Sequence, residues 1–145
     1  MKLSGVISHF GMRMKSIVKT FLLLTSLTLP SLAQSEVILD VDTQAQVVYV
    51  YDDDELLEVI PASTGRIGKE TPLGEFTILQ KREKHISSIY KSSMPYMQRL
   101  TWTGIAIHAG DITEPYASHG CIRVSYEDAR KLFSMTKNGT KVYVR

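Results

Sequence analysis

One cysteine, Cys121, is all the thiol chemistry this 145-residue chain possesses, so no internal disulfide can staple its fold. Exported proteins pair their cysteines or avoid them, because their compartment is oxidising. A lone thiol in such a chain is either a buried small hydrophobe or a reactive group kept for chemistry. Asp and Glu are missing from the first 33 positions. Long apolar runs are missing as well: residues 21–29 make a run of nine, where a membrane-spanning helix needs roughly 20. No stable membrane span is therefore expected. No cluster of Lys and Arg with interleaved aromatics occurs, so a nucleic-acid role has no support. No internal repeat or low-complexity tract is visible.

What the first 33 residues do contain is a basic start (Lys15, Lys19), the apolar run, then Pro30 and Ser31-Leu32-Ala33. That order is a basic n-region, an h-region and a small-x-small site, as in a secretory signal peptide cut after Ala33. Met14 offers an alternative start, since 14–33 alone has ordinary leader length. Four of the 17 basic residues (Lys2, Arg13, Lys15, Lys19) lie in this leader. The remainder carries 13 basic and 15 acidic residues, a net charge of −2 where the full chain has +2. Residues 34–145, about 112 positions, suffice for one modest core but not two.

Within 34–145, β-branched and aromatic runs separated by turn formers predict strands at 37–41, 46–51, 55–62, 75–80, 104–108 and 140–144. Residues 81–97 are polar and lack periodicity, which predicts a long surface loop, and such loops are often lids or binding segments. One helix is expected after Cys121. Ser125 is its N-cap with Asp128 three residues on, Ala129, Leu132, Phe133 and Thr136 share a face, and Asn138-Gly139 stops it. The fold class is mostly β, with at least one helix packed on the strands.

Cys121 stands in the run Ser118-His119-Gly120-Cys121-Ile122-Arg123. A thiol attacks as its thiolate, and a nearby helix N-terminus or imidazolium lowers its pKa. Gly120 removes bulk beside the sulfur, and consecutive amides at 120 and 121 can donate to a developing oxyanion. A nucleophile also needs a base with an orienting partner. His119 is two residues away, and His108 ends an apolar strand; both compete for the role. His85 lies in the polar loop, as a solvated residue or part of a substrate groove. Zinc ligation by His108, Asp111, His119 and Cys121 is the rival chemistry, but the spacing matches no usual ligand pairing. A papain-like protease would carry its cysteine near the mature N-terminus, the reverse of the order here. Arg123 is the candidate carboxylate anchor, since a guanidinium holds a carboxylate by two parallel hydrogen bonds.

Ile107-His108-Ala109-Gly110 followed by Ser118-His119-Gly120-Cys121-Ile122-Arg123-Val124 resembles the signature of the YkuD-type L,D-transpeptidase catalytic domain. Ser63-Thr64-Gly65, Thr71-Pro72-Leu73-Gly74-Glu75-Phe76 and Met94-Pro95-Tyr96 resemble further blocks of that family, in the same order. The likeness runs from about Val37 to Val144, and the 13 positions from histidine to cysteine make a compact interval for the family. The resemblance implies a β-sandwich-like domain of mixed sheets spanning 34–145, in an enzyme exported to the periplasm or cell wall. It implies that Cys121 attacks the carbonyl between residues 3 and 4 of a peptidoglycan tetrapeptide stem and forms a thioester. An amine acceptor then resolves it in a transpeptidase; water would make the chain an L,D-carboxypeptidase or amidase. His108 would move the protons, oriented by a backbone carbonyl such as that of Ala109. His119 and Gly120 would shape the pocket and oxyanion site, and Ser118, Arg123 and Tyr96 would meet substrate. No cofactor or metal is implied, and carbapenems would acylate the thiol.

Overall fold

The computed structural model describes residues 35–145; the leader expected at 1–33 and the alternative start at Met14 lie outside the described residues. Nine strands and one helix follow in the order β1 (Val37–Asp42), β2 (Val47–Asp52), β3 (Glu55–Ser63), β4 (Gly74–Thr77), β5 (Gln80–Arg82), β6 (Met97–Arg99), β7 (Ala106–Ala109), β8 (Ile122–Val124), α1 (Tyr126–Met135) and β9 (Lys141–Val144). The strands form a single mixed sheet in the order β4-β9-β1-β2-β3-β8-β7-β6-β5. β1 with β9 and β7 with β8 are parallel, and the other pairs are antiparallel.

The two edges of this sheet, β4 and β5, are separated by Ile78 and Leu79 alone. Two residues cannot span an open nine-stranded sheet, at about 4.8 Å per strand, so the sheet curls until its edges meet. β3 makes the turn of the curl. Its first part pairs with β2, and Ala62 and Ser63 pair instead with Val124 and Arg123 of β8. One core fills the interior, drawn from β1, β2, β3, β7, β8, β9 and α1, with Leu39, Val48, Ile60, Ile107, Ile122, Leu132 and Val142 at its centre. The β-sandwich-like mixed sheet expected from the sequence is thus a curled mixed sheet around one core.

The expected strand over 75–80 is two strands. Ile78 donates its N–H to Thr140 and Leu79 donates to Arg99, so the chain changes partners between them. The expected loop 81–97 is a bonded ribbon. Met94 donates to the His85 carbonyl, Tyr96 to that of Glu83, and Ile86 bridges Ser93. β6 and β8 are three residues each, too short to show alternation in the sequence.

α1 forms where the capping pattern puts it. The Ser125 hydroxyl accepts from the Asp128 amide at 3.1 Å and donates to its carboxylate at 2.6 Å. Glu127 and Asp128 suit the positive end of the helix dipole. At the other end the Lys81 ammonium donates to the carbonyls of Phe133 and Thr136, which the last turn leaves without partners. Ala129 and Leu132 go into the core. No helix among the described residues is long and apolar enough to cross a membrane.

Candidate active site

Alternation along β7 and β8 decides which side chains meet. The parallel register puts His108 beside Arg123 and Ile107 beside Ile122. Ile107, Ala109, Ile122 and Val124 enter the main core. Ala106, His108, Arg123 and Cys121, which directly precedes β8, therefore share the opposite face. β6 repeats the pattern. Gln98 faces the helix, where its side chain accepts from the Thr136 hydroxyl, and Met97 and Arg99 face outward. This outer face floors a cleft of about 350 Å³ that the 83–96 ribbon roofs, with His85, Tyr90 and Met94 among its walls.

His108 is 6% exposed, and its Nδ1 lies 2.7 Å from the carbonyl oxygen of Ala109. A carbonyl only accepts, so Nδ1 carries hydrogen and a neutral ring keeps its lone pair on Nε2. Ala109 is itself held, because its N–H donates to the carbonyl of Pro95 at 2.9 Å. Burial lowers the His108 pKa, and the Arg123 and His85 charges push the same way against the Ala109 hydrogen bond.

Cys121 packs against Met94, Met97 and Ala106, and its thiol donates to the Gly104 carbonyl at 3.5 Å. Burial pushes its pKa up; the Ala106 amide and the charges of Arg123 and Arg99 act in the other direction. The expected lowering by a helix N-terminus is not realised, because β8 intervenes and Ser125 caps the helix itself. Burial thus favours the neutral form of both groups, the thiol of Cys121 and the imidazole of His108.

The turn carrying Cys121 is braced from four directions. Ser118 is 1% exposed, accepts from the Gly120 amide at 3.1 Å and donates to the Cys121 carbonyl. Its own amide and carbonyl bond Thr64 and Arg66. Thr71 accepts from the Gly65 amide and donates to the Gly120 carbonyl, both at 2.9 Å. Ser63 ties down the 110–117 segment by donating to the Glu114 carbonyl at 2.7 Å. Gly65 is required at this junction, since a Cβ there would sit 2.1 Å from the Lys69 carbonyl oxygen. Gly120 has φ +113°, a region closed to ordinary side chains.

Of the residues expected at the site, Cys121, His108, Arg123, His119 and Ser118 line one cleft, with Ala109 and Gly120 behind them. Three expectations change. The Gly120 amide is committed to Ser118, so it is not an oxyanion donor. The Ser118 hydroxyl is engaged within the turn, so it shapes the site instead of reaching outward. Tyr96 lies outside the cleft, edge-on to Tyr126 and Phe133 of α1 at 5.3 and 5.6 Å. His119 stacks on Tyr90 at 4.3 Å and joins the ribbon to the cysteine turn, while the Ala109 carbonyl orients His108. Burial and the charges of Arg66, Arg123 and Lys69 lower the His119 pKa. Among the described residues no three His, Cys, Asp or Glu side chains are placed to hold a metal ion. Arg99 and Tyr90 are cleft residues that the sequence did not single out, and Thr71 stood there only as part of a motif, without its bond to Gly120.

The L,D-transpeptidase catalytic domain model (YkuD) matches residues 36–144. The probable L,D-transpeptidase 3 of Mycobacterium tuberculosis is 34% identical over 104 residues, covering 60% of this chain and 38% of that one. Among solved structures, the L,D-transpeptidase from Mycobacterium smegmatis superposes with a TM-score of 0.73 at 29% identity, over 77% of this chain and 59% of that one. L,D-transpeptidase 3 from Mycobacterium tuberculosis, in complex with a faropenem-derived adduct, gives 0.71 at 25% identity, over 77% and 61%. The chain spans about two fifths of the length of the first curated relatives it matches. With the motifs, the curled sheet and the matched span in agreement, the chain belongs to the L,D-transpeptidase catalytic domain family.

Proposed function

We propose that this chain is a peptidoglycan L,D-transpeptidase, exported by the leader at 1–33 to the periplasm or cell wall, with Cys121 as nucleophile and His108 as its base. The observation that carries the reading is the His108–Ala109 hydrogen bond, which frees Nε2 as a base in the cleft that also holds the only thiol. The thiol proton passes to Nε2 as Sγ attacks the carbonyl carbon between residues 3 and 4 of a tetrapeptide stem. His108 returns that proton to the departing amine, the terminal residue leaves, and a thioester remains on Cys121. An acceptor amine then attacks the thioester, gives its proton to His108, and the thiol is restored. Because thiol and imidazole start neutral, proton transfer accompanies attack. The cations around the cleft suit a donor that carries carboxylates.

The test is incubation with tetrapeptide-stem muropeptides, with products read by mass spectrometry beside Cys121→Ala and His108→Ala. Cross-linked dimers from the wild type alone support the proposal. Shortened monomers without dimers assign water as the acceptor, and undiminished turnover by Cys121→Ala removes the mechanism.

A further inference from the structure

Arg99 stands in a cross-strand row with the cysteine. Gln80 pairs with Arg99, Arg99 with Ala106, and the β7–β8 register continues that row to Cys121. All but the edge residue Gln80 line the cleft. With alanine as the residue between them, only a methyl group stands between the two side chains along the row, and the backbones of Arg99 and Cys121 lie roughly 10 Å apart across two strand spacings.

The Arg99 side chain is held without being neutralised. Its Nε donates to Gln80 Oε1 at 3.3 Å, and its guanidinium lies 5.7 Å from the centre of the Trp102 ring. Ion pairs among the described residues engage Lys131, Lys141 and Arg145 only. The cleft wall includes Arg99 and Arg123 and no Asp or Glu. A guanidinium in a cleft wall, with no ion-pair partner among the described residues, can receive a carboxylate there.

We propose that Arg99 is a specificity-determining residue that binds a carboxylate of the donor stem, on the β6 side of Cys121. This rests on the L,D-transpeptidase reading and deepens it. The stem offers two carboxylates within reach of a cleaved bond, that of the terminal residue and one on the side chain of residue 3 where that residue is a diacid. The experiment therefore uses three synthetic stems: the free acid, the terminal amide and the residue-3 side-chain amide. Terminal-residue release is measured for wild type, Arg99→Lys and Arg99→Gln. In parallel, binding of each stem to Cys121→Ala and to Cys121→Ala/Arg99→Gln is measured by calorimetry, so that recognition is read without turnover.

One amide is expected to lower wild-type kcat/KM and affinity about 10- to 100-fold, the span of one hydrogen bond to a charged group. Arg99→Gln is expected to lose the same factor on the free acid and to be indifferent to that amide, with Arg99→Lys between. The amide that removes the coupling identifies the carboxylate. An Arg99→Gln loss equal for all three stems, or no loss, overturns the assignment while leaving the transpeptidase reading intact. A wild type that cleaves no stem defeats that reading instead, and the calorimetric arms still decide for or against Arg99.

Discussion

Thr71 donates its hydroxyl hydrogen to the carbonyl of Gly120 over 2.9 Å, across 49 positions of sequence, while accepting from the Gly65 amide. One buried side chain thus couples the loop after β3 to the turn that presents the thiol.

Thr71→Val keeps the shape and removes both bonds, leaving a buried N–H and a buried carbonyl without partners. The expected loss is about 2–6 kcal/mol of stability, at about 1–3 kcal/mol for each of the two orphaned groups. A thiol that reacts at least tenfold more slowly with a carbapenem is also expected, because Gly120 precedes Cys121. Thr71→Ser retains both bonds and should behave almost as wild type. Thermal melting and intact-mass acylation kinetics check both.

The buried His108 titrates below its ordinary value of 6.5. The acid limb of kcat/KM, which reports the free enzyme, is expected to reach half-height below pH 6.5. Arg123→Gln removes a charge that opposes protonation and should move that limb upward, toward 6.5. The stability consequence has a definite sign. The unfolded chain protonates this histidine near 6.5 and the folded chain only at lower pH, so its contribution is complete above about 6.5 and is lost as pH falls. His108→Gln should melt with a smaller drop between pH 7.5 and 5 than wild type.

Gly120→Ala meets two separate obstacles. At φ +113° an L side chain is strained, and the new Cβ would lie 2.7 Å from the Ile105 terminal methyl. The methyl can swing away and the backbone cannot. A loss of about 1–3 kcal/mol is expected from the strained backbone. Adding Ile105→Val should restore less than half of it in a denaturant melt, where full restoration would assign the role of Gly120 to packing.

The capping of α1 was legible because its chemistry is local: Ser125 and Asp128 sit three apart and bond each other. The strands with β-branched runs, β1, β2 and β9, were legible for the same reason. β8 was not, since three residues carry no period, and its presence changes the electrostatics of Cys121 from helix-assisted to burial-dominated. Residue type and spacing singled out Cys121 and His108, and the β7–β8 register brings the two into one cleft. Tyr96 was misplaced because its partners, Tyr126 and Phe133, come from a distant helix. Arg99 escaped notice for a similar reason: its relation to Cys121 passes through Ala106, and only sheet registers across β6, β7 and β8 create it.

The central claim is that a stem peptide becomes covalently attached to Cys121 through His108. Its most direct test is acid-quenched intact-mass spectrometry of residues 34–145 mixed with a tetrapeptide stem, followed by peptide mapping. The account predicts a mass increase equal to the stem less its terminal residue and one water, mapped to Cys121, slowed in His108→Ala and absent in Cys121→Ala. An adduct that persists in Cys121→Ala, or that maps to another side chain, would contradict it.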